Sequence, residues 1–116
     1  MKKSKKKQTV AIIGAGVAGI TCANLLKNND FDPIVIEKSK GVGGRLATRI
    51  TDSGLGFDHG VQFFTARSEN FKLQLENSLI TGAIEPWNPR LLNDQNEEKR
   101  TQFVGVPSMN AFVNPL

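Results

Sequence analysis

The stretch TVAIIGAGVAGITCANLL, residues 9–26, limits what this chain can fold into more than any other segment. A β-branched run, TVAIIG, ends on Gly14. Gly16 and Gly19 then complete a G-x-G-x-x-G spacing ahead of a helix-forming stretch. Residues 9–14 read as a buried parallel strand. Residues 17–30 read as a helix, with apolar or small side chains at 17, 18, 20, 22, 23, 25 and 26 and a stop at the amide-rich end. DPIVIEK, residues 32–38, reads as a second strand, with Pro33 at its start where a missing N–H is tolerated. Strand, helix and strand at this spacing predict a right-handed βαβ unit.

Each glycine of the motif answers a different steric need. Gly14 permits the tight turn out of the strand. Gly16, lacking a Cβ, lets a pyrophosphate come close to the backbone, and Gly19 lets the helix approach the sheet. The free N–H groups and positive dipole end at the helix start would then hold the phosphates. Glu37 follows Gly14 by 23 residues, where a carboxylate accepts hydrogen bonds from an adenosine ribose and repels a 2′-phosphate. The expected ligand is a dinucleotide. Glu37 does not say which, because NAD and FAD share the ADP half.

Composition narrows the remaining choices. At 116 residues the chain has room for one domain, and no repeat or linker marks a second. Its net charge of +4 misleads, because five of the fifteen basic residues lie in MKKSKKK; removing those five leaves −1 for residues 8–116. Residues 1–8 are expected to form a disordered, lysine-rich tail. The body has no basic stripe interleaved with aromatics, which argues against nucleic acid. The lysines and apolar run imitate a secretory signal, but three glycines divide the run and a βαβ-spaced strand follows it. With no uninterrupted apolar run of 18 residues, no membrane span is expected. One cysteine, Cys22, excludes an intramolecular disulfide and fits a reducing, cytoplasmic setting; it reads as a small buried residue on the first helix.

The segment GVGGRLATRITDSGLGFDHGVQFFTAR, residues 41–67, separates the two dinucleotides. An NAD-binding Rossmann domain grips phosphate mainly through its first turn. Here Gly43 and Gly44 would let a second backbone segment approach the pyrophosphate, and Arg45 offers a planar fork of donors to a phosphate oxygen. Further along, a short strand is expected within 55–60. A helix is expected over 68–80, with Ser68 as cap and Phe71, Leu75 and Leu79 on its apolar side. Residues 83–100 read as an exposed connection that forms a hairpin with 101–106.

IIGAGVAGITCANLL, IVIEKSKGVGGRLATR, FDHGVQFFTAR and FVGVPSMNAFV together resemble the N-terminal part of renalase-like flavoproteins, within the FAD-dependent amine oxidase group. The resemblance runs over residues 9–113. It implies an α/β, Rossmann-like FAD/NAD(P)-binding domain of the glutathione-reductase type, incomplete here, with residues 9–116 running into the start of a substrate domain. It implies FAD as cofactor, held by Gly14, Gly16, Ala18, Gly19, Glu37, Lys38, Gly44, Arg45, Gly60, Val61 and Gln62, with no catalytic residue and no metal ligand. The segment Gly60, Val61 and Gln62 would run beneath the flavin side. GVPSMNAF would form a turn preceding a helix near the substrate half. Asp58 and His59 are read as fixing a turn rather than doing chemistry, although a histidine there would also suit a general base.

The activity implied is hydride transfer to FAD from a small reduced substrate, either a dihydronicotinamide type or an amine. Members of that group are considerably longer, so this chain is expected to be a truncated or split relative, doubtful as an enzyme alone. Its two parallel strands, meant for cover on both faces, are then expected to stay incompletely buried, with open edges. Two other readings stand beside this one: an NAD-dependent dehydrogenase, and a non-catalytic nucleotide-binding fragment completed by a partner chain.

Overall fold

The structure, a computed structural model, describes residues 6–90 and 100–113. Strand β1 (Thr9–Ile13), helix α1 (Val17–Asn28) and strand β2 (Asp32–Ile36) form the expected βαβ unit, with β1 and β2 parallel and Ile12 opposite Val35. The ladder reaches past both strands. Asp32 N–H donates to the Gln8 carbonyl at 2.9 Å, and Gly14 N–H donates to the Ile36 carbonyl at 2.8 Å. Helix α1 ends on Asn29, whose N–H reaches back to the Leu26 carbonyl.

Side chains alternate across this small sheet, as a pleat requires. Val10, Ile12, Pro33 and Val35 are half-buried on the side where α1 lies. Ala11, Ile13, Ile34 and Ile36 face the other way and stay exposed, Ile13 by 80%. Burial of the β1–β2 strands is thus incomplete, as anticipated. Cys22 is a correction: it is exposed on α1, because the helix turns residues 19, 20, 23 and 26 toward the sheet and residues 18, 22 and 25 outward.

The next two strands make a short antiparallel hairpin, β3 (Thr48–Ile50) with β4 (Gly56–Asp58). The expected strand within 55–60 is β4; β3 carries no strong strand signal and exists because β4 pairs with it. A three-stranded antiparallel sheet follows in the order β5 (Phe64–Thr65), β7 (Gln102–Gly105), β6 (Ile84–Trp87). The β6–β7 pairing is the expected hairpin; residues 91–99 of its connection lie outside the described residues, as do residues 1–5 of the lysine tail. The reading of 83–100 as wholly exposed is corrected at Ile84, which is buried in the core.

Helix α2 (Glu69–Ile80) starts where Ser68 caps it, the serine Oγ accepting from Phe71 N–H at 3.3 Å. Leu75 is fully buried and Phe71 half-buried, but Leu79 faces solvent, so the apolar stripe is one turn shorter than its i, i+4, i+8 pattern suggested.

The core sits in this second half. Leu46, Leu75, Ile84, Met109, Phe112 and Val113 form one buried cluster. Phe64 stacks on Phe112 and Phe103, with ring centroids 4.9 and 5.8 Å apart. Burying each such side chain contributes about 1.5–3 kcal/mol. Leu46 matters most for the site, because it anchors the glycine-arginine loop to this core.

Candidate nucleotide-binding site

The turn from β1 into α1 has the geometry its glycines require. Gly14 lies at φ 99°, a left-handed conformation that penalises any side chain. A Cβ on Gly19 would strike the Gly14 carbonyl oxygen, so the close helix–strand approach depends on that residue. Gly16 differs, since a Cβ there would meet nothing within 4 Å. Its missing side chain leaves open space in front of the helix. Gly16 is also the N-cap of α1 and supplies no side-chain hydrogen bond. The first-turn N–H groups of Val17, Ala18 and Gly19 therefore have no intrahelical partner and point outward at the positive dipole end. These features fit a phosphate-bearing ligand.

Glu37 lies just past β2, with both carboxylate oxygens engaged. Oε2 accepts from Ala15 N–H at 2.7 Å, and Oε1 accepts from Ser39 N–H at 2.8 Å. The Ala15 N–H, then the Ser39 N–H, holds the carboxyl well below the usual carboxylate range, lowered from 4.5 to about 2. Glu37 is thus ionised and fixed in direction, with lone pairs left over for ligand hydroxyls. Lys38 beside it is exposed.

The second glycine loop packs directly on the first turn. Gly43 N–H donates to the Ala15 carbonyl at 2.8 Å, and Gly43 forms a parallel bridge with Gly16. Gly43 and Gly44 both have positive φ, 117° and 56°. A Cβ on Gly44 would come within 3.2 Å of Gly16 Cα. The two glycines therefore serve a backbone-on-backbone contact. Arg45 follows in a short 3₁₀ turn, Gly44–Leu46, exposed beside the glycine turn, while Leu46 is buried.

The remaining predicted segment meets this loop from behind. Val61 N–H donates to the Arg45 carbonyl at 3.0 Å, and a Cβ on Gly60 would strike that same oxygen. Val61 packs against the core, whereas Gln62 and His59 are exposed. Asp58 ties elements together: its Oδ1 accepts from Thr48 Oγ1 at 2.5 Å and from Met109 N–H at 3.0 Å. GVPSMNAF supplies Met109 and Phe112 to the core through a 3₁₀ turn, Met109–Phe112. Among the predicted residues, the structure brings together Gly14, Gly16, Gly19, Glu37, Gly44 and Arg45. Gly60 and Val61 join them through the Arg45 carbonyl.

Two participants were missed. Ala15 is buried and uses both its N–H and its carbonyl, and Ser39 gives its N–H to Glu37. No side-chain chemistry signals either, because both act through the backbone. A shallow depression lined by Lys6, Lys7, Asn29 and Asp30 lies at the other end of β1 and shares no residue with this site. Among the described residues, no helix is long and apolar enough to cross a membrane.

Sequence comparison relates the chain to known proteins. The chain is 37% identical over 70 residues to 15-cis-phytoene desaturase of Synechococcus elongatus, covering 60% of this chain and 15% of that one. It is 34% identical over 90 residues to probable polyamine oxidase 5 of Arabidopsis thaliana, covering 71% and 16%. It is 47% identical over 47 residues to tryptophan 2-monooxygenase of Allorhizobium ampelinum, covering 40% and 6%. The chain thus spans no more than 16% of the length of these three relatives. The family described as NAD(P)-binding Rossmann-like domain matches residues 12–75, from within β1 to the middle of α2. That span holds the glycine turn, Glu37 and the arginine loop, and the chain belongs to the NAD(P)-binding Rossmann-like domain family.

Proposed function

We propose that residues 9–113 form the FAD-binding portion of a flavin-dependent oxidoreductase. The observation that carries this reading is the seat of the second loop. Gly44 lies against Gly16, so Arg45 stands beside the N-terminus of α1, where a diphosphate would rest. One phosphate site would then be lined from two sides, by first-turn N–H groups and by a guanidinium. Glu37 would orient the adenosine through its ribose hydroxyls. Val61, bonded to the Arg45 carbonyl, would hold the segment 60–62 toward the far end of the cofactor.

When bound, the flavin ring supplies hydride acceptance from a reduced substrate. The residues of this chain would bind and orient the cofactor. The names of the relatives, a desaturase, a polyamine oxidase and a monooxygenase, support an oxidoreductase. Within that class the motifs favour a renalase-like protein acting on a dihydronicotinamide-type or amine substrate. Residues outside this chain, in a longer protein or a partner chain, would supply the substrate pocket. An exposed free thiol at Cys22 fits a reducing, cytoplasmic setting.

A second reading, NAD(P) as ligand, is favoured by the description of the matching family. Titrating the purified protein with FAD and with NAD separates the two. Retained flavin absorbance with weak NAD binding supports the first reading, and tight NAD binding without flavin uptake supports the second.

A further inference from the structure

Four hydrogen bonds close a circuit around the site. The Glu37 carboxylate takes the Ala15 N–H at 2.7 Å and the Ser39 N–H at 2.8 Å. The Ala15 carbonyl takes the Gly43 N–H at 2.8 Å, and Ser39 Oγ donates to the Gly41 carbonyl at 2.7 Å. Gly41 and Gly43 lie on the loop that carries Arg45. The acidic residue and the arginine loop therefore meet at one buried residue, Ala15, through its N–H on one side and its carbonyl on the other.

We infer that Glu37 is a positioning residue for the arginine loop, setting that loop through the Ala15 and Ser39 backbone before any nucleotide arrives. A carboxylate suits the task because it only accepts, and two N–H donors converge on it. A glutamine keeps the length but turns one of its two ends into a donor, which faces another donor. An aspartate keeps the charge but falls one methylene short. The carboxylate stays ionised far below neutral pH, so the strut holds throughout the physiological range. This role rests on the proposed function only in what it says Arg45 is for; the circuit is made entirely of groups of this chain.

The test is amide hydrogen exchange on the nucleotide-free protein, comparing wild type with Glu37→Gln and, as control, Lys27→Ala, a change at an exposed residue in the last turn of α1. Exchange across residues 39–47 is expected to speed roughly tenfold in Glu37→Gln, the scale of one lost charge-assisted hydrogen bond, while α2 keeps its protection. Wild-type rates across 39–47 in that variant overturn the inference. Should the variant not fold, amide shifts of the wild type between about pH 4 and 1, the window in which the Glu37 carboxyl takes its proton, give the answer. Gly43 does not touch the carboxylate, so its resonance moves with those of Ala15 and Ser39 only if the coupling exists. A stationary Gly43 overturns the inference. Neither readout contains flavin, so failure of FAD binding leaves both results standing.

Discussion

The Gly60 Cα sits so close to the Arg45 carbonyl oxygen that no side chain fits between them, and the neighbouring Val61 N–H donates to that oxygen at 3.0 Å. The turn after β4 is thereby seated on the back of the arginine loop. A Gly60→Ala substitution has to push backbone against backbone. It is expected to cost about 1–3 kcal/mol, the range for overpacking a tight contact. Urea unfolding of the ligand-free protein measures this, and an unchanged midpoint would mean that the turn and the loop are not in contact.

Gly16 and Gly19 belong to the same motif and should fail differently. Gly19→Ala drives a methyl into the Gly14 carbonyl, so stability falls with or without ligand. Gly16→Ala meets open space, so ligand-free stability stays within about 0.5 kcal/mol of wild type. Its nucleotide affinity falls, because the methyl occupies the approach to the first-turn N–H groups. Thermal melts with and without FAD separate the two effects.

The glycine turn, its strands and its helix were legible because each is written in local chemistry. A β-branched run, three glycines at fixed spacing and an apolar helix leave few alternatives. Glu37 was legible as a carboxylate at the right distance, but not as a strut. Its partners are the N–H groups of Ala15 and Ser39, which every non-proline residue carries, so sequence holds no trace of them. Cys22 and Leu79 show a related limit. Periodicity gave their helices correctly, yet what covers a helix face depends on distant segments, and nothing among the described residues covers these two. Strand β3 was invisible for the same reason, since its pairing with β4 is a tertiary fact.

The depressed pKa of Glu37 makes a signed prediction. The folded value, about 2, lies below the ordinary 4.5, so the group's contribution is fully present above pH 4.5 and is lost as pH falls toward 2. Other carboxylates titrate in this window too, so the readout is a difference. The gap in urea midpoint between wild type and Glu37→Gln should be constant from pH 7 to about 5 and then shrink. A gap independent of pH would contradict it.

Asp58 joins β4 to the segment that carries Met109 and Phe112. Asp58→Ala removes the acceptor for both Thr48 Oγ1 and Met109 N–H, and about 1–3 kcal/mol should be lost. Asp58→Asn keeps one acceptor oxygen and should lose less. Calorimetric melting of the two variants orders them. Equal stability would place this junction outside the folding unit.

The central claim is that two loops grip one diphosphate, and the FAD affinity of Arg45→Ala beside wild type tests it most directly. The side chain is exposed and makes no hydrogen bond or ion pair among the described residues, so the fold should be intact while FAD binding weakens roughly tenfold or more, the order of one lost charge-assisted bond. FAD bound equally well by both proteins would contradict the account.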